Sequence, residues 1–193
     1  MSINMKKIAG FTLLLLVAPF AEAHTGLAQN GFLSGLSHPL LGLDHLLAML
    51  AVGLWAGSMG DKASWRLPLV FLVIMAISAI GAQGLGSMLM IENGIAVSLL
   101  LLGLFIVFAV KLPAVIGLIA VSLFAVFHGV AHGIELPLAA SPLWYVSGFV
   151  FSTVLLMGLG VKTGSVSAER VRLMVRVAGV LIASAGGLML LTN

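Results

Sequence analysis

The sequence predicts an all-α integral membrane protein, a bundle of six transmembrane helices behind a cleaved N-terminal signal peptide. Three observations carry this. The 193 residues are 61% hydrophobic and only 8% charged, with a mean hydropathy of +1.24, whereas a soluble domain has about 25% charged residues. Apolar segments near bilayer length recur along the chain. Lys and Arg occupy alternate connections between them. The size suits one compact bundle over residues 24–193 and leaves no room for a soluble catalytic or ATP-binding domain. No GxxxxGK[ST] run is present, so any transport is not powered by ATP within this chain. The absence of cysteine excludes disulfides, thiolate metal ligation and iron–sulfur clusters.

Residues 1–23 have the layout of a signal peptide. Lys6 and Lys7 form the basic start, Ile8 to Phe20 a short apolar core, and Ala21-Glu22-Ala23 an A-x-A cleavage site. The alternative is an uncleaved first helix. Cleavage would leave His24 at the new N-terminus, where its imidazole and a free α-amine form a chelating pair. Six spans then follow at about 37–58, 67–84, 92–110, 113–134, 142–161 and 171–191, each near the ~20 residues a bilayer requires. Their connections are short, as between antiparallel neighbours in a bundle. In the last span Gly179, Ala183 and Gly187 form a stripe of small residues that lets helices approach closely.

Orientation follows from the basic residues. The chain has nine Lys and Arg; without Lys6 and Lys7, seven remain: Lys62, Arg66, Lys111, Lys162, Arg170, Arg172 and Arg176. All seven fall on one side of the six-span arrangement, which the positive-inside rule makes cytoplasmic. The net charge of +3 therefore reflects membrane topology and calls for no nucleic acid. Both mature termini are expected on the outer side, which agrees with a cleaved signal. An oligomer is compatible with the sequence.

The chemistry gathers in two stretches. In the fourth span, FAVFHGVAHGIELP places His128, His132 and Glu135 at i, i+4 and i+7, on one side of an α-helix. The first span begins LSHPLLGLDHLLAMLAVG, with Pro39 expected in its first turn. His38 and His45 stand at i, i+7 there and share a face if the helix is continuous. Asp44 can join the site at an angle or accept an imidazole N–H as an outer partner. Gly42 leaves room for a close neighbour. The two spans run in opposite directions, so His38 pairs in depth with Glu135. His45 pairs with His128, about 10 Å further in at ~1.5 Å per residue. Glu92, at the outer start of the third span, lies at a similar level. It also suits a helix N-terminus simply as a negative charge.

Ionisable groups are costly in a membrane, at ~2.5–3.5 kcal/mol for a charged side chain at mid-bilayer on insertion scales. Helix–helix hydrogen bonding is the plain explanation for a lone histidine there. Several imidazoles and carboxylates at one depth suggest instead a divalent-metal site, drawn from His24, His38, Asp44, His45, Glu92, His128, His132 and Glu135. Imidazole and carboxylate without thiolate suit Ni²⁺, Co²⁺ or Zn²⁺.

HPLLGLDH at 38–45 reads as H-x5-D-H, and FHGVAHGIE at 127–135 as F-H-G-x-A-H-G-x-E. Both resemble the signatures of the HupE/UreJ family of bacterial nickel permeases, as do the signal peptide, His24 and the six-span pattern. The resemblance implies import of nickel, sometimes cobalt, from the periplasm for hydrogenase or urease maturation. The metal is then a transported substrate, and no prosthetic group is implied. The matching positions are His38, Asp44, His45, His128, His132 and Glu135. Competing readings are a membrane zinc hydrolase built on the same cluster, a b-type cytochrome and a metal sensor. A zincin would carry Glu after its first histidine, where this chain has Gly129.

Overall fold

The structure, a computed structural model, describes residues 31–60, 65–82, 89–136 and 141–193. The expected signal peptide and His24 lie outside the described residues. Seven helices account for most of the rest: α1 (Gly31–Leu41), α2 (Leu43–Ser58), α3 (Arg66–Gly81), α4 (Leu89–Val107), α5 (Ala114–Ile134), α6 (Pro142–Gly164) and α7 (Glu169–Thr192). No strand occurs among the described residues.

Four of these helices, α4 to α7, are long and apolar enough to cross a membrane. Together α1 and α2 pass the same test only as a pair bent by 78°, the shape of a broken span or a re-entrant loop. The 16 residues of α3 rise about 24 Å, short of the ~30 Å hydrocarbon core. This is a multi-pass membrane protein. Large apolar side chains such as Leu69, Val73, Ile77 and Ile80 on α3, and Ile116, Ile119 and Leu123 on α5, face outward. Only an apolar solvent makes such faces inexpensive.

The break in the first span corrects the expectation of a continuous helix over 37–58. Pro39 lies in the last turn of α1 and not in a first turn. It has no N–H to donate to the carbonyl four residues back. Gly42 then takes an extended conformation, φ −81° and ψ 111°, and α2 starts afresh at Leu43. His38 and His45 consequently belong to two different helices. A Cβ on Gly42 would stand 3.1 Å from Asp44 Oδ1 and 3.2 Å from His45 Nδ1. The neighbour that this glycine admits is thus the Asp44–His45 pair.

Backbone contacts at glycine fix the helix partners and their directions. Gly129 and Gly133 lie against the carbonyls of Met75 and Ala79, so α5 runs parallel to α3. Gly53 and Gly57 meet the carbonyls of Met157 and Val161, so α2 runs parallel to α6, which also packs along α1. Antiparallel packing joins α4 to α7 through Gly103, Gly179, Ala183 and Gly186. The expected stripe is corrected here. Gly187 has open space beside it, and Gly186 makes the contact in its place. The face that a helix buries depends on where its neighbour lies, and α4 meets α7 along the 179–183–186 line.

At one end of the bundle, α4 closes with Ala109 in the left-handed region (φ 49°). Val110 N–H reaches back to the Phe105 carbonyl, and Ala109 N–H to that of Ile106, the pattern of a Schellman cap. The cap presents the Val110 carbonyl to Trp55 Nε1–H at 2.9 Å. This joins the end of α2 to the connection that carries Lys111. Histidine side chains cluster toward the opposite end, where α1 and α5 stop and α6 starts.

Candidate metal centre

His38 lies in the last turn of α1 and His132 in the last turn of α5. Their ring centroids are 4.9 Å apart. Helix C-termini carry about −0.5 of an elementary charge. Two such ends directed at one spot favour a cation there, and broken membrane helices use their C-terminal ends in this way. Glu135 stands at the C-cap of α5, still in the αR region with its N–H bonded to the Ala131 carbonyl, so the i+7 spacing carries it to the same end as His132. From that position its Oε2 reaches His38 Nε2 at 2.7 Å. This pair forms the outer, partly open edge of the cluster, with side chains 15% and 32% exposed.

The deeper imidazoles are enclosed. His45 contacts His132 and His128, with ring centroids at 4.6 Å and 5.6 Å. Phe149 of α6 stacks flat on His132, 4.5 Å away with 3° between the planes, and holds that ring in one orientation. Phe71 of α3 lies against His128 at 5.7 Å and closes the bottom.

Hydrogen bonding sets which nitrogens are free. Asp44 Oδ1 accepts from His45 Nδ1–H at 2.9 Å and from the His45 backbone N–H at 2.8 Å. A proton on Nδ1 leaves the Nε2 lone pair available, the arrangement by which a carboxylate orients a metal-binding histidine. The Phe124 carbonyl does the same for His128, accepting from Nδ1–H at 2.9 Å. His45 Nε2, His128 Nε2 and both nitrogens of His132 are buried without a hydrogen-bond partner. So is the hydroxyl of Tyr145, whose ring lies 5.8 Å from His38. Leaving such an atom unsatisfied costs about 1–3 kcal/mol. Several such atoms side by side call for a group that satisfies them.

One donor atom from each of His38, His45, His132 and Glu135 lies within 4.8 Å of the others. Donors of one tetrahedral ion, at ~2.0–2.1 Å each, stand about 3.4 Å apart. The four groups must therefore draw together to share one coordination shell. The donor set of three imidazoles and a carboxylate suits Ni²⁺, Co²⁺ or Zn²⁺.

The HupE / UreJ protein family model matches residues 12–190. This chain belongs to the HupE/UreJ family. It is 43% identical over 182 residues to Protein HupE of Rhizobium leguminosarum bv. viciae, an alignment covering 93% of this chain and 95% of that protein. No solved structure matches it.

The remaining residues of the HupE/UreJ chain named from its sequence fall as follows. Asp44 is the outer partner of His45 and is not one of the four converging donors. His128 sits behind His45, one ring deeper. Glu92 lies in the first turn of α4, and its carboxylate is not among the converging groups. Its place fits the other reading, a negative charge at the positive end of a helix. Tyr145 was not singled out in the sequence. An aromatic residue at the start of an apolar helix reads as an interfacial anchor, and its burial on a histidine face becomes visible only in the assembled bundle.

Asp44 allows a direct test of this arrangement. In Asp44→Asn the carboxylate that orients the His45 ring is lost, and Ni²⁺ affinity is expected to fall ~10–100-fold. Titration of the purified protein with Ni²⁺ checks this; an unchanged affinity would remove Asp44 from the site.

Proposed function

We propose that this protein is a secondary, ATP-independent permease that imports nickel, or cobalt, across the bacterial inner membrane. It is a transporter and not an enzyme in this reading. The metal it delivers serves hydrogenase or urease maturation, the role associated with the HupE/UreJ family. One observation carries the reading: unpartnered imidazole nitrogens and a carboxylate converge where two helices end, inside an otherwise apolar bundle. The full arrangement comprises a cleaved signal peptide over 1–23 and six spans over 24–193, with α3 as the second of them. Both mature termini are periplasmic and the basic end is cytoplasmic.

In this mechanism hydrated Ni²⁺ arrives from the periplasm, where His24 and the outer carboxylates, Glu135 and Glu92, attract it. Glu135 and His38 replace the first waters. The ion moves down to His132 and His45, and then to His128. Each step exchanges hydration for imidazole, so the ion is never bare in the apolar interior. Phe71 and the buried Met49 and Met75 lie in the deep core, and opening past them needs rearrangement of the bundle.

The decisive experiment is uptake by proteoliposomes holding the purified protein, with ⁶³Ni outside and no nucleotide present. Accumulation above that of empty vesicles is expected, with competition by Co²⁺. Absence of uptake by protein that binds Ni²⁺ would favour a sensor over a permease. Cleavage of the signal is checked by N-terminal sequencing of the mature protein, with His24 expected first.

Acidity should oppose the process. Imidazoles bind metal only when neutral. Protons and Ni²⁺ then compete for the same lone pairs, so apparent affinity is expected to fall as pH drops into the acid range. Ni²⁺ titrations of the purified protein across that range check the sign; affinity rising toward acid would exclude imidazole ligands.

A further inference from the structure

Tyr145 is the only tyrosine in the chain. It lies in the first turn of α6 and is 1% exposed. Its ring packs against His38 and Phe149, with centroids 5.8 Å from each. Gly35 of α1 sits directly on its backbone carbonyl, which anchors the residue between α1 and α6. The hydroxyl is buried and has no partner, although buried tyrosine hydroxyls usually find one. Glu135 is bonded to the His38 ring against which Tyr145 packs. The ring is thus fixed by packing and the polar tip is left over, beside the outer edge of the histidine cluster.

We infer that the Tyr145 hydroxyl holds a water molecule of the bound cation's coordination shell, as a positioning residue that favours ions which keep such water. The inference rests on the permease reading and deepens it. The four converging donors fill four coordination positions. Ni²⁺ with nitrogen and oxygen ligands takes tetragonal geometries with further positions, and water fills these. A metal-bound water is a strong hydrogen-bond donor, and burying it without an acceptor is costly. The walls near His38 and His132 are the aromatic faces of Phe149 and Tyr145, so the phenolic oxygen supplies that acceptor. Its own O–H can in turn donate to the Glu135 carboxylate. Zn²⁺ in closed sites is four-coordinate and tetrahedral. It would be satisfied by the four donors and leave no water for Tyr145 to hold.

Tyr145→Phe removes the hydroxyl and keeps the ring. The test titrates Ni²⁺ and Zn²⁺ into purified full-length protein in detergent, as wild type, Tyr145→Phe and His132→Ala. Tyr145→Phe is expected to weaken Ni²⁺ binding ~10-fold, the scale seen when an outer partner is lost, to leave Zn²⁺ binding unchanged, and to keep the metal-free melting temperature at or above that of wild type. His132→Ala is expected to lose both metals. Equal weakening of the two metals by Tyr145→Phe, or of neither, would overturn the role of the hydroxyl while leaving the metal site standing. Retention of both metals by His132→Ala would overturn the metal site itself, and the inference with it.

Discussion

His132→Ala is expected to reduce ⁶³Ni accumulation to the level of cells that lack the protein. Among the described histidines it is the one whose two ring nitrogens are both buried without a partner. It lies 4.9 Å from His38 and 4.6 Å from His45, ring to ring. Without it, the outer pair of His38 and Glu135 keeps only the looser contact of His38 with His45, ring centroids 5.5 Å apart. Loss of an outer partner costs ~10–100-fold in metal affinity, so loss of this direct donor is expected to exceed ~100-fold. The same substitution also leaves a cavity beneath Phe149. His132→Leu therefore serves as a volume control, since it replaces unsatisfied nitrogens with apolar atoms. Its metal-free melting temperature is expected at or above that of wild type, because burying unpaired polar atoms opposes folding. Uptake at the wild-type rate by well-expressed His132→Ala would exclude this cluster as the pathway.

The second large effect is expected at a residue with no chemistry of its own. A Cβ on Gly133 would collide with the Ala79 carbonyl, and one on Gly129 with the Met75 carbonyl. Neither carbonyl can move without shifting α3 as a whole. Overpacking of this kind costs typically ~1–3 kcal/mol. The two sites share one helix contact, so the double variant Gly129→Ala/Gly133→Ala will not be a simple sum. Separating α5 from α3 also displaces His128 and His132 together, and uptake should fall with stability. Gly187→Ala is the internal control. It meets open space and should gain up to ~1 kcal/mol from helix propensity. Melting curves of the three purified variants decide the matter. Equal stability of Gly133→Ala and Gly187→Ala would refute the close approach of α3 and α5.

These two predictions separate the roles within FHGVAHGIE. Its histidines and glutamate face the cluster, whereas its glycines face α3. The motif combines a reactive face with a packing face because helical periodicity brings both onto consecutive residues. That dual character is readable in the sequence as alternating His and Gly, but the partner of the glycine face is not.

The membrane class and the approximate positions of the helices were open to reading from composition and hydropathy. Apolar runs must pair their own backbone groups in lipid, and only helices do so within one segment. Thus 113–134 and 142–161 were expected where α5 and α6 occur at Ala114–Ile134 and Pro142–Gly164. The break at Gly42 was less legible, since a glycine inside an apolar run is tolerated in many membrane helices. Pro39 contributes the break only because it falls late in a helix that already began at Gly31. Gly187 shows the same limit from the other side. It had a suitable residue type and spacing, yet it meets open space and Gly186 makes the helix contact.

By itself, the sequence determined what this chain is dissolved in, where it turns, and which donor atoms it owns, because hydropathy, charge and residue type are local properties. Tertiary structure alone decided which donors meet. It broke the first span between His38 and His45, brought Glu135 back onto His38, and buried Tyr145 against that edge. The physical reason is that the rotation of each helix about its axis, and the angle at a break, depend on packing against neighbours distant in the chain. Spacing within one segment carries no record of either.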